Sequence, residues 1–255
     1  MRNIFDLKRK TAIVTGASSG LGVQFAKALA NQGADIVIAA RRTGELELVK
    51  SEIEQLGVRC LAVTCDLSKT DDIVAMVAAA KDFFGRIDIL VNNAGVGEAY
   101  PAESQTDEQW YSIVNINLNS AYFVIREVGK VMIEQQYGKI VNIGSIHSTV
   151  CTPGLSLTAY CASKGGIAML TKALANEWAK HNITVNAIGP AYFPTEMTTE
   201  LIDDSDFQTA VKVYCPMGRI GREGELDGAL VYFASDASSY TTGQLLLVDG
   251  GWTTV

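Results

Sequence analysis

The sequence predicts an α/β fold, a single doubly wound domain in which a seven-stranded parallel sheet is flanked by helices on both faces. Short β-branched runs alternate with longer amphipathic stretches along the chain. The runs are apolar at nearly every position, and the first passes straight into a glycine-rich turn that opens a helix. A strand apolar on both faces is covered by helices on both faces, which is the condition of a parallel sheet. Repeated β-α units supply that cover, with right-handed crossovers.

The strands are read in order as TAIVT (11–15), DIVIAA (35–40), CLAVTC (60–65), DILVN (88–92), KIVNIG (139–144), TVNAI (184–188) and QLLLVDG (244–250). Helical patterns lie between them near 20–32, 44–56, 70–84, 107–136, 158–181 and 223–235. The stretch at roughly 189–222 has no clear period and follows a strand end, so it is expected to be a lid or substrate loop. No Pro/Gly/Ser-rich linker, low-complexity segment or solenoid repeat interrupts the pattern, which predicts one domain over 1–255.

Bulk properties narrow the function. The 255 residues are 48% hydrophobic and 19% charged, an ordinary globular balance. A net charge of −7 argues against a nucleic-acid surface. The five cysteines (Cys60, Cys65, Cys151, Cys161 and Cys215) are odd in number and form no CxxC pair, which predicts reduced thiols in a cytoplasmic protein. The start does not read as a signal peptide, and no apolar run reaches the roughly 18 residues that span a bilayer. With two histidines, His147 and His181, and no clustered ligands, no metal site is expected.

TGASSGLG, from Thr15 to Gly22, joins the first strand to the first helix. Gly16, Gly20 and Gly22 let the backbone turn tightly around a pyrophosphate resting on the helix N-terminus, with Ser18, Ser19 and Leu21 completing the loop. The G-xxx-G-x-G spacing departs from GxGxxG, and such a turn also arises for packing alone. CDLS after the third strand places Asp66 to accept from an adenine amino group, with Leu67 beside it. NNAG ends the fourth strand, and Asn93, Ala94 and Gly95 are small enough for close approach of a ligand. These are the strand ends at which a Rossmann-type sheet binds dinucleotides. At the end of the second strand Ala40 stands where an NAD-specific site has a carboxylate, and Arg41 and Arg42 follow. Guanidinium groups there suit a 2′-phosphate, so NADP(H) is preferred and NAD(H) is the alternative. Solvated loop charges are the other reading of the two arginines.

LTAYCASKGG (157–166) sets Tyr160 and Lys164 four positions apart, on one helix face. A free phenol, with a pKa of about 10, is a weak acid and base at neutral pH, and a nearby cation lowers that value. The pair is thus an acid/base device or an exposed helix face.

Taken in order, these motifs resemble the short-chain dehydrogenases/reductases over essentially the whole chain. TGASSGLG resembles TGxxxGxG, NNAG matches, Tyr160-Cys-Ala-Ser-Lys164 matches YxxxK, and Ser145 in VNIGS matches the third catalytic residue. Asn117 falls at the helical asparagine, with Asn115 as a competitor. The resemblance implies a dinucleotide-binding part over about 1–145 and a catalytic and substrate part over about 146–255. It implies that Tyr160 exchanges a proton with the substrate oxygen, Ser145 hydrogen-bonds that oxygen, and Lys164 lowers the phenol pKa and binds the nicotinamide ribose. Asn117 would hold a water in a relay to Lys164. Pro190 and Thr195 match the segment that contacts the nicotinamide.

Two departures stand out. Ala191 replaces the usual glycine after Pro190, at a cost if the site needs positive φ. The Ser145–Tyr160 stretch is longer than in many members, so its insertion is expected to bulge into the substrate pocket; His147 within it is a substrate contact or a polar loop residue, and Tyr192 is a second substrate candidate. ANEWAKHNITVNAIGP and YFPTEMT look most like the gluconate 5-dehydrogenase and deoxygluconate dehydrogenase branch, which implies a sugar acid, polyol or small carbonyl compound. The alternatives are a 3-oxoacyl-carrier-protein reductase, against which the acidic balance argues, and a catalytically silent dinucleotide sensor. The helices at 107–136 and 158–181 are apolar over much of their surface. Family resemblance makes them a dimer face within a homotetramer, with the dimer as alternative.

Overall fold

All seven strands are present and parallel: β1 (Thr11–Thr15), β2 (Asp35–Ala40), β3 (Cys60–Thr64), β4 (Ile89–Asn92), β5 (Gly138–Ile143), β6 (Ile183–Pro190) and β7 (Leu245–Val248). They pair in the order β3-β2-β1-β4-β5-β6-β7. The computed structural model describes residues 3–196 and 198–254.

Register explains why the strand runs are apolar throughout. Ile13 pairs with Val37 and Leu90, Leu90 with Ile140, and Ile140 with Val185. That row packs under α3 (Thr70–Phe84), α5 (Ser120–Gln135) and α6 (Thr158–Trp178). One residue along, Val14, Ile38, Val91 and Val141 pack under α1 (Gly20–Asn31), α2 (Thr43–Glu54) and α9 (Asp227–Ala234). Each strand therefore supplies two interleaved apolar faces. Each fully buried aliphatic side chain contributes about 1.5–3 kcal/mol.

Two stretches differ from expectation. The long helix expected over 107–136 is α4 (Asp107–Val114), a wide π turn over Asn115–Asn119, and then α5. Thr106 caps α4 by accepting from the Gln109 N–H (3.3 Å), while Gln109 Oε1 accepts from the Thr106 N–H (3.0 Å). The stretch 189–222 holds α7 (Thr199–Ile202) and α8 (Ser205–Tyr214). Phe207 and Val211 of α8 join Ile146, Tyr192, Cys215 and Trp252 in a third apolar cluster outside the two main layers. Ala191 is not among the residues with left-handed backbone, so replacing the family glycine costs nothing there.

At the opposite, amino-terminal edge of the strands, Asp88 is fully buried. Its carboxylate accepts from the Thr11 N–H (2.9 Å) and from Arg86 Nε and Nη2 (2.7 and 2.5 Å), tying the start of β1 to the start of β4. Removing it leaves a buried N–H and a guanidinium unpaired. Asp88→Ala is expected to cost about 2–3 kcal/mol. Thermal denaturation should show Tm falling by roughly 5–10 °C, and Asp88→Asn, which keeps an acceptor for Thr11, should lose less.

Candidate active site

The helices that follow β1 and β4 leave toward opposite faces, and a crevice opens at the carboxyl ends of these neighbouring strands. A cavity of about 750 Å³ fills it, walled by Arg41 and Arg42 beyond β2 and by Ser145, Tyr160 and Lys164 on the β5 and α6 side. The glycine turn shapes its floor. Gly16 has φ +66°, and a Cβ there would lie 2.8 Å from Ala94 Cα. A Cβ on Gly22 would collide with the Gly16 carbonyl oxygen. Ser18, Ser19, Gly20 and Leu21 line the cavity. The first turn of α1 has no acidic side chain and Ser19 makes no side-chain cap, so its N–H groups remain available to a ligand anion. This uncapped helix end, glycine cradle and arginine pair fit a dinucleotide carrying a 2′-phosphate.

The asparagine motif lines the cavity through Asn93, Ala94 and Gly95, and it also holds two strands together. The N–H groups of Asn93 and Ala94 both donate to Thr15 Oγ1 (3.0 and 3.2 Å), and Asn93 Nδ2 donates to the Thr15 carbonyl (2.9 Å). The motif thereby ties the end of β4 to the end of β1. Asp66 is on the cavity wall. The N–H and hydroxyl of Ser68 donate to its carboxylate (3.1 and 2.8 Å), holding its pKa below the ordinary aspartate value. Leu67, Gly95, Pro190 and Thr195 complete that wall.

At the other end, Lys164 is buried and its Nζ donates to the Ile143 carbonyl (2.8 Å). Burial pushes its pKa down to about 8. Burial also pushes the Tyr160 phenol up to about 12, outweighing the hydrogen bond with Ser145 that pulls the other way. The ammonium lies 5.7 Å from the centroid of the phenol ring. Burial thus dominates the phenol's pKa, against the lowering expected from the lysine. Ser145 accepts from the His147 N–H (3.2 Å), while its own N–H donates to Ser148 Oγ (3.2 Å). Ser148 in turn donates to the Lys164 carbonyl (2.8 Å), fastening the serine turn to α6.

Asn117, in the π turn, is buried, whereas Asn115 is exposed and hydrogen-bonded to Asn119. Asn117 accepts from the Val96 N–H (2.8 Å) and donates to the Val96 carbonyl (2.9 Å) and to Ser163 Oγ (3.1 Å). Its amide is thus occupied in pinning the chain beyond β4, beside Gly95. A Cβ on Gly95 would be 3.2 Å from Asn117 Oδ1 and 3.6 Å from Lys164 Nζ.

His147 and Tyr192 are placed differently from expectation. Neither lines the cavity that holds Tyr160; Tyr192 lines a separate one of about 430 Å³ with Trp252 and Cys215. His147 is buried edge-on to the Tyr160 ring (5.8 Å between centroids). Its Nδ1 is 3.2 Å from the Val150 carbonyl and its Nε2 3.4 Å from the Tyr192 hydroxyl, and burial lowers its pKa. The insertion thus folds back against the phenol, where its histidine backs the ring. Two acidic residues not anticipated from sequence do line the cavity: Glu98, bonded by the Tyr100 hydroxyl (2.7 Å), and Glu196. Glu98 stands in no motif, and Glu196 lies within YFPTEMT with no role legible from the string itself, so only the folded chain reveals them.

Comparison with known proteins places this geometry. A family model described as enoyl-(acyl carrier protein) reductase matches residues 16–253. The chain is 39% identical to the gluconate 5-dehydrogenase of Gluconobacter oxydans (strain 621H), covering 98% of this chain and 97% of the relative. It is 42% identical to the 2-dehydro-3-deoxy-D-gluconate 5-dehydrogenase of Bacillus subtilis (strain 168), covering 99% and 98%. A crystal structure of a gluconate 5-dehydrogenase from Burkholderia cenocepacia J2315, in complex with NADP and tartrate, superposes with a TM-score of 0.95 at 34% identity, covering 99% and 98%.

The buried lysine makes a pH-dependent contribution to stability. Its folded pKa of about 8 lies below its ordinary 10.5, so its charge penalises the fold fully below pH 8, and the penalty fades as pH rises to 10.5. Relative to Lys164→Met, which has no such penalty, the parent should gain Tm across that window. Parallel thermal melts from pH 7 to 10.5 check this.

Proposed function

The chain belongs to the short-chain dehydrogenase/reductase family, and from that premise we propose that it transfers a hydride between NADP(H) and a secondary alcohol or ketone of a sugar acid or related polyol. NAD(H) is the alternative cofactor. The observation that carries the reading is the convergence of Ser145, Tyr160 and Lys164 in the same cavity as the glycine cradle and the arginine pair. The relatives named for gluconate and deoxygluconate chemistry support the substrate class, and the NADP-bound neighbour supports the cofactor.

The cofactor supplies or accepts the hydride; everything else falls to the protein. Ser145 holds the reacting oxygen and stabilises charge developing there. Tyr160 gives that oxygen its proton in reduction and takes it back in oxidation. Lys164, a cation below about pH 8, favours the phenolate form of Tyr160 and binds the nicotinamide ribose. Asn117 keeps the Val96 segment in place beside Lys164 and supports the proton relay toward it. Pro190 and Thr195 hold the nicotinamide end, Asp66 and Leu67 the adenine, and Arg41 and Arg42 the 2′-phosphate.

We also place the chain in a homotetramer, or a dimer. Exposed Tyr111, Tyr122 and Met169 on α4, α5 and α6 support a helical contact face, and Leu246 on the edge strand β7 supports a second.

Nicotinamide absorbance, with NADPH and NADH offered separately against 5-ketogluconate, neutral ketoses, a β-ketoacyl thioester and a steroid ketone, tests the reading. Turnover is expected with the polyhydroxy ketones and NADPH. Tyr160→Phe should lower kcat by about 10²–10⁴-fold. Absence of turnover with every polyhydroxy ketone would sink the proposal.

A further inference from the structure

Glu196 follows Thr195, and its carboxylate is held by the guanidinium assigned above to the 2′-phosphate. Arg42 Nη2 donates to Glu196 Oε2 (3.2 Å) and Arg42 Nη1 to Oε1 (3.5 Å), the paired arrangement a guanidinium offers to carboxylate or phosphate. Ser19 Oγ donates to the same Oε2 (2.9 Å) and accepts from Arg42 Nη2 (2.6 Å). Arg42 Nε donates to Ser18 Oγ (3.2 Å). Groups past the ends of β1 and β2 thus converge on one anion, which the chain beyond β6 supplies itself.

We propose that Glu196 is a specificity-tuning residue, an internal stand-in for the 2′-phosphate that must leave Arg42 when NADP(H) binds. The proposal rests on the reading of Arg42 as the phosphate contact. The guanidinium has few donors left: Nε faces Ser18, and both terminal nitrogens face Glu196. A phosphate arriving beside an undisplaced carboxylate would meet repulsion as well as an occupied partner. The carboxylate can be displaced because the pair is exposed, with side-chain exposures of 48% for Arg42 and 68% for Glu196, and exposed pairs are weak. A phosphate monoester brings nearly two charges and three acceptor oxygens to the same donors. NADH carries only a 2′-hydroxyl there and has nothing to exchange for Glu196. The carboxylate therefore taxes NADP(H) and spares NAD(H), narrowing the preference that Arg41 and Arg42 create.

Fluorescence titration of NADPH and of NADH into the full-length protein, giving a Kd for each, tests this without turnover. Glu196→Gln and Glu196→Ala are expected to tighten NADPH by about two- to fivefold, the range an exposed ion pair spans, and to leave NADH unchanged. In an Arg42→Ala background, Glu196→Ala should gain less for NADPH, since only the carboxylate's repulsion is left to remove. The inference is overturned if NADPH binding is unchanged or weaker in both Glu196 variants, if both nucleotides shift alike, or if the gain is undiminished without Arg42. An Arg42→Ala variant with an unaltered NADPH-to-NADH ratio would instead overturn the phosphate assignment.

Discussion

The hydroxyl of Thr15 holds the crevice in shape. Ladder pairing between β1 and β4 has to stop where the chain turns into helices on opposite faces, and the main-chain groups just past that point need partners. Thr15 Oγ1 accepts from two successive N–H groups beyond β4, and the Asn93 amide closes back on the Thr15 carbonyl. The ends of the strands are thereby locked at the spacing that lets Gly16 pass against Ala94. A buried polar group left unpaired here would cost about 1–3 kcal/mol, so threonine and asparagine at these positions serve the frame before they serve any ligand. The cradle, the Asn117–Val96 pairing and the approach to Lys164 all lean on this junction.

The catalytic end carries an electrostatic tension. Tyr160 and Lys164 are both driven toward neutrality by burial, the phenol to about 12 and the ammonium to about 8. The ammonium lies 5.7 Å from the centre of the ring and is turned to the Ile143 carbonyl, and burial is the larger influence on each group. A buried ammonium with one protein acceptor still has hydrogen-bonding capacity to satisfy, and the cavity it lines is where further acceptors would come from. The pair is held in geometry by Ser145, Ser148 and the edge of His147, none of which fixes its charge state. Positioning is built into the protein alone; the proton equilibrium is left open to what binds.

Much of this was legible in the sequence. Every strand follows from its apolar run, since pairing register only sorts those residues between two covered faces. The glycine turn, Asn117, Ser145, Tyr160 and Lys164 stand in local patterns whose spacing survives folding. What could not be read has physical reasons. The π turn at Asn115–Asn119 inserts a residue without changing composition, so the helix pattern runs through it. The helices α7 and α8 are short enough that their period is lost among loop residues. His147 was expected at the substrate from loop length, but length does not determine which way an insertion folds, and this side chain is buried behind the phenol, against Tyr192. Arg42 and Glu196 are 154 positions apart, a distance at which charge pattern says nothing about pairing.

The distribution of charge within the cavity qualifies the acidic character of the whole. A chain of net charge −7 repels an anionic cofactor at long range, with an effect that salt screens beyond about 8–10 Å. Recognition must therefore be local, and the cavity supplies it in two forms: guanidinium groups beyond β2 and uncapped N–H groups at the start of α1. The second costs no net charge and needs no side-chain ordering, so it serves any pyrophosphate. The first is selective, because only a ligand with an anion at that point gains from it.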